Sequence, residues 1–180
     1  MDRPGHSFEE MVFRGDGFAV ILAGSGSDEP HIDKIADSLE EWEIPYKVRI
    51  CSAHKQADQL VEVLVGYNRL EGSLVYVAVA GGTDALSGTA SFHSRFPVIS
   101  CPPDGKPSDP NMSCLTNPPG SSNAYISRPG NVGKFIAQMY SGVNPGLRKM
   151  LEDEKIGKIE SLRVSDEEIG IEYLERQQGD

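Results

Sequence analysis

Two unbroken apolar runs constrain this chain more than anything else in it: Phe18-Ala19-Val20-Ile21-Leu22-Ala23 and Leu74-Val75-Tyr76-Val77-Ala78-Val79-Ala80. A strand covered on one face alternates apolar and polar side chains, whereas an uninterrupted run demands cover on both faces. Both runs fall far short of the ~20 apolar residues of a membrane span. The chain must therefore supply apolar helices for both sides of a sheet.

Those helices are legible between the runs. Ile32, Ile35, Ala36, Leu39 and Trp42 recur at helical spacing, with Pro30 suited to a first turn and Asp28 or Ser27 to an N-cap. Tyr46–Ile50 reads as a second strand, and Leu60, Val63, Leu64 and Tyr67 mark a second helix. Ala85–Phe92 follows as a helix, then Pro97-Val98-Ile99-Ser100-Cys101 as a strand stopped by Pro102-Pro103. Residues 102–121, rich in Pro, Gly, Ser and Asn, form a long loop, a length often tied to function. Ala124-Tyr125-Ile126 is a short strand, and Val132, Phe135, Ile136, Met139 and Tyr140 give an amphipathic helix. After Pro145 the periodicity weakens through Leu147, Met150, Leu151, Ile156 and Ile159. This order predicts a three-layer α/β/α sandwich with a mostly parallel sheet and right-handed crossovers.

The expected organisation is an N-terminal extension over residues 1–16, a single domain over 17–160 and an acidic tail over 161–180. Polar termini lack apolar surface to offset ordering entropy, so both ends are expected to be the least ordered parts. The net charge is −10, and residues 150–180 hold ten acidic and four basic side chains of it. The body is only mildly acidic, and no predicted helix carries a basic stripe. Nucleic acid is thereby excluded as a partner class. Cys51, Cys101 and Cys114 are odd in number and lack CxxC spacing, which argues against a disulfide framework and against a zinc site. No apolar run in the first 16 residues resembles a signal peptide. A cytoplasmic location and no membrane partner are the expectations.

The chemistry concentrates where strands end. In a parallel sheet, loops at the C-terminal edges of strands line the ligand crevice. Gly24-Ser25-Gly26-Ser27-Asp28 offers close backbone approach, two hydroxyls and a carboxylate able to accept from a diol. Taken alone, such a loop is equally a helix-capping turn. Ser52-Ala53-His54-Lys55 adds an imidazole, the side chain suited to proton shuttling near neutral pH, beside a cation able to hold a phosphate. His6, His31 and His93 lack such a setting and read as packed or solvated residues. Gly81-Gly82-Thr83 brings a third loop to the same edge. The three together point to a phosphorylated, hydroxyl-bearing small molecule handled by His54.

These motifs, with Val77-Ala78-Val79-Ala80-Gly81-Gly82 and Pro97-Val98-Ile99-Ser100-Cys101-Pro102-Pro103, resemble the PurE family of purine biosynthesis from about Phe18 to Leu151. The resemblance implies a flavodoxin-like fold, a cytoplasmic homo-octamer with sites at subunit contacts, and no cofactor or metal. It implies that Ser25, Asp28, Ser52 and Lys55 hold ribose and phosphate, with Gly24, Ser27 and Ala53 beside them. Gly81, Gly82 and Thr83 would line the ring and carboxylate pocket, and His54 would be the catalytic base. Lys55 after His54, and Ala85 where the bacterial mutases carry a second His, are similar to class II. That class carboxylates 5-aminoimidazole ribonucleotide directly with carbon dioxide. The N5-carboxyaminoimidazole ribonucleotide mutase activity is the alternative within the family, and a non-enzymatic nucleotide-binding module the alternative outside it. The third loop departs from class II, with Gly82 in place of Arg and Asp84 in place of Asn. Asp84 is expected to add a carboxylate near the pocket unless it points away.

Overall fold

The computed structural model describes residues 7–106 and 108–178. The chain begins with helix α1 (Phe8–Arg14), closed by a capping box in which the Glu10 N–H donates to Ser7 Oγ and the Ser7 N–H to Glu10 Oε2. Strand β1 (Ala19–Ala23), helix α2 (Glu29–Glu41), strand β2 (Tyr46–Ile50) and helix α3 (Ala57–Asn68) follow. Next come β3 (Val75–Val79), α4 (Ala85–His93) and β4 (Val98–Ser100). A small hairpin of β5 (Gly105–Lys106) and β6 (Asp109–Pro110) precedes β7 (Ala124–Tyr125), α5 (Val132–Tyr140) and α6 (Pro145–Gln178).

The main sheet has the order β2-β1-β3-β4-β7, and every pairing in it is parallel. Side-chain parity divides the two apolar runs between two cores, as the period of two requires. Ala19, Ile21, Ala23, Val75, Val77 and Val79 face α2, α5 and the start of α6. Phe18, Val20, Leu22, Tyr76 and Ala78 face α1, α3 and α4. This is the expected flavodoxin-like three-layer arrangement. β1 and β3 are buried along their whole length because each has a strand on either side and helices on both faces.

The first core depends on how closely α2 approaches α5. Ser38, on α2, accepts from the Gly133 N–H at 2.9 Å and donates to the Gly130 carbonyl at 2.9 Å. A Cβ on Gly133 would lie 2.0 Å from the Ser38 carbonyl oxygen, so only glycine permits this contact.

Two ends differ from expectation. Part of the 1–16 stretch is structural: Phe8, Met11 and Val12 are buried in the second core, Phe8 edge-on to Phe18 and Tyr67. Residues 1–6 lie outside the described residues. The weakly periodic tail is one 34-residue helix, anchored by Leu147 and flanked by half-buried Met150 and Leu151. Residues 155–177 of it are exposed throughout. Pairs one turn apart, such as Lys149–Asp153, Lys158–Glu154, Arg163–Glu167 and Arg176–Glu172, run along it.

Candidate active site

Strand register brings the three loops together. Ala23 is level with Ile50 on one side and with Val79 on the other. The chain therefore leaves the sheet at Gly24, Cys51 and Ala80 side by side. The ladder runs one step further: the Gly24 N–H donates to the Val79 carbonyl at 2.9 Å, and the Cys51 N–H to the Ala23 carbonyl at 2.8 Å.

In the first loop, Ser25 caps a short 3-10 turn over Gly26–Asp28. Its Oγ accepts from the Ser27 N–H at 3.2 Å and lies 2.7 Å from Ser27 Oγ. Asp28 stands at the N-cap of α2, but its carboxylate caps nothing there. Among the described residues it makes no hydrogen bond, so both oxygens are free to accept from a ligand. Burial raises its pKa, the nearby Asp104 carboxylate adds to the rise, and His31 works against it. In the second loop, Ser52 shapes the turn that carries His54. Ser52 Oγ accepts from the Lys55 N–H at 3.3 Å, and its carbonyl from the Gln56 N–H at 2.8 Å. His54 and Lys55 are exposed, and neither side chain bonds to another described residue.

The loops enclose a cavity of about 270 Å³. Of the candidate residues named from the sequence, Gly24, Ser25, Asp28, Ser52, Ala53, His54, Lys55, Gly81 and Thr83 line it. Ser27 and Gly82 do not; Ser27 acts on the cavity through its contact with Ser25. Ala80, Ala85 and Leu86 complete the wall and were not among the predicted binding residues. Their small or apolar side chains carry no chemical signal, and only the register at the end of β3 places them there. Among the described residues, His54 is the sole imidazole in the lining.

Asp84 points away from the cavity. Its Oδ1 accepts from the Ser87 N–H at 2.9 Å, capping α4, and its Oδ2 accepts from buried Ser100 Oγ at 2.7 Å. It is 3% exposed. The carboxylate the sequence set at the pocket edge is thus an internal brace between α4 and β4.

Gly82 is braced as well. Its φ of 66° lies in the left-handed region, where glycine carries no Cβ penalty. The Gly82 N–H donates to Asp104 Oδ2 at 2.6 Å. The Gly82 carbonyl accepts from Asn111 Nδ2 at 2.8 Å and from Ser113 Oγ at 3.0 Å. Asn111 Nδ2 also donates to Asp104 Oδ1 at 2.7 Å. Burial disfavours the Asp104 carboxylate, yet the bonds from Asn111 and Gly82 outweigh it and hold its pKa below the ordinary value. The long 102–121 loop therefore clamps the peptide units behind Gly81 and Thr83, a role no motif announced.

The chain as a whole is similar to known proteins. The family model described as AIR carboxylase matches residues 19–160. The chain is similar to a phosphoribosylaminoimidazole carboxylase of Treponema denticola, 38% identical over 127 residues, covering 68% of this chain and 78% of the relative. It is also similar to a probable N5-carboxyaminoimidazole ribonucleotide mutase of Methanothermobacter thermautotrophicus, 30% identical over 148 residues, covering 80% of this chain and 44% of the relative. The crystal structure of Treponema denticola PurE superposes with a TM-score of 0.79 at 30% identity, over 84% of this chain and 98% of that chain.

Proposed function

The chain belongs to the AIR carboxylase family, and from that membership we propose that it is a phosphoribosylaminoimidazole carboxylase of purine biosynthesis. In this reading it joins 5-aminoimidazole ribonucleotide and carbon dioxide to give the 4-carboxylated nucleotide, without ATP. One observation carries the choice within the family: a single imidazole, His54, faces the cavity beside Lys55, while Ala85 occupies the wall where a mutase would place its second His.

The chemistry follows from the ring and from this one base. The amino group makes the imidazole enamine-like, so C4 attacks carbon dioxide and the new carbon–carbon bond forms. C4 is then tetrahedral and still carries its hydrogen. His54 removes that proton, the electron pair returns to the ring, and aromaticity is restored; the same imidazolium returns the proton in reverse. Ser25, Asp28, Ser52 and Lys55 hold the ribose and phosphate, with Lys55 acting as a point charge. Gly24, Ala53, Gly81 and Thr83 shape the walls. Remote binding of the sugar phosphate fixes C4 against the trapped gas, an orientation effect.

Assembly and location belong to the same proposal. His54 and Lys55 are exposed in the single chain, so water reaches the reacting centre unless a neighbour covers it. A homo-octamer with sites at subunit contacts supplies that cover. Three buried free thiols suit the reducing cytoplasm. The catalytic unit is residues 17–160, with 161–180 appended to it.

The test is incubation with 5-aminoimidazole ribonucleotide and labelled bicarbonate, ATP absent. Label should enter the product in proportion to dissolved carbon dioxide. Turnover of the N5-carboxylated nucleotide alone would instead make the chain a mutase, leaving the fold and His54 in place.

A further inference from the structure

A second cavity, of about 390 Å³, opens at the same sheet edge on the α2 and α5 side. It is larger than the cavity around His54 and shares none of its lining residues. Lys34 enters from α2 and Arg128 from the turn before α5. Among the described residues neither side chain makes a hydrogen bond or ion pair, in a chain of net charge −10. Lys134 and Lys158, which line the adjoining groove with Arg128, both pair instead with Glu154. Asp104 is the only carboxylate in the wall, and it is already engaged by the Gly82 N–H and Asn111. His31 closes the inner end, its Nε2 3.1 Å from the Cys101 carbonyl.

We propose that this cavity binds a phosphorylated nucleoside at a site separate from the one containing His54. Lys34, Arg128 and the Ser127 hydroxyl approach from different elements, which suits the dispersed oxygens of a phosphate better than a flat carboxylate. The volume exceeds that of a phosphate alone and falls within the range of small-ligand pockets. The rest of the wall is flat and apolar, from Tyr125 and the rings of Pro102, Pro103, Pro110 and Pro129. Proline walls are stiff, so the shape exists before the ligand arrives and little ordering cost opposes binding. Asp104 joins the two cavities: one face borders this site while its oxygens hold the loop behind Gly81 and Thr83.

Isothermal titration of the intact protein with adenosine 5′-monophosphate, and separately with inorganic phosphate, tests this without turnover. The nucleotide should bind saturably and more tightly than phosphate. Lys34→Ala and Arg128→Gln should each weaken it about tenfold or more, the loss expected for one charge-assisted contact. Lys55→Ala, in the other cavity, should leave the affinity unchanged within about twofold, well below the cost of a lost contact. Absence of saturable binding, binding indifferent to Lys34 and Arg128, or binding lost with Lys55→Ala would each overturn the proposal. Circular dichroism of each variant confirms that folding is intact.

Discussion

His54 is the residue whose loss should remove chemistry and spare structure. Its turn is held by Ser52 and Gln56, and its own ring supports nothing among the described residues. His54→Asn should fold with native circular dichroism and bind substrate, yet turn over ~10²–10⁴ times more slowly, the usual contribution of a general base. Near-native kcat would return His54 to a surface role. Lys55→Ala should instead raise KM with little change in kcat, because a phosphate contact acts equally on ground and transition states. Asp84 makes the opposite case. Because it faces Ser87 and Ser100 rather than the cavity, Asp84→Asn should keep kcat/KM within about threefold, a change under 1 kcal/mol. Asp84→Ala should lower stability by about 1–3 kcal/mol in urea titration, since the Ser87 N–H and the Ser100 hydroxyl would be buried without a partner. A large kinetic effect from the Asn variant would place its charge in the pocket after all.

At the scale of elements, the site is a product of strand ends held level and of loops braced from behind. Parallel pairing of β2, β1 and β3 in one register sets the first requirement. The Asp104–Asn111–Ser113 clamp on Gly82, and the Asp84 cap on α4, set the second. The sheet edge also needs α2 at a fixed height, because α2 carries Asp28 at its start. That height is set by the seat of Ser38 on Gly133. Gly133→Ala would press a methyl into the Ser38 carbonyl and force α2 and α5 apart. The expected cost is about 1–3 kcal/mol, the range for overpacking a tight contact, read as a lower urea midpoint. An unchanged midpoint would mean that the two helices separate freely.

Over the whole molecule, the last described element, α6, is longer than the body of the fold requires. At 1.5 Å per residue, α6 is about 50 Å long, and the family match stops at residue 160. Past that point Leu162, Ile169, Tyr173 and Leu174 are exposed among acidic side chains, so within one chain the helix is held by contacts along itself, ion pairs and Arg176 over the Tyr173 ring among them. Isolated helical segments are marginal in water, which makes this stretch the least supported part of the fold. Sedimentation should give an octamer mass for the full chain, and truncation after Glu160 should leave that mass at eight subunits. A monomer at micromolar concentration would refute the assembly. Dissociation on truncation would assign residues 161–180 to the subunit contacts.

Apolar runs and their spacing were enough to set the layers. Unbroken apolar runs at β1 and β3 require cover on two faces, and the spacing of Ile32, Ile35 and Leu39 or of Leu60, Leu64 and Tyr67 supplies it. Burial and periodicity are local properties, readable without coordinates. The residues around the cavity were legible too, because glycine, hydroxyl and imidazole cluster at strand ends for chemical reasons. Direction and distance came from the three-dimensional packing alone. Asp84 and Asp28 are both loop carboxylates a few residues past an apolar strand. One turns inward to meet Ser100, sixteen residues further along, and the other faces the cavity. Asp104, Asn111 and Ser113 sit in a loop rich in Pro, Ser and Asn with no pattern of its own, and reach Gly82 only because β4 lies next to β3. Phe8, Met11 and Val12 belong by sequence to a polar terminus, and only the packing of the fold puts them in the second core. Long-range contacts depend on which strands become neighbours, and pairing between distant segments leaves no mark in the spacing of either one.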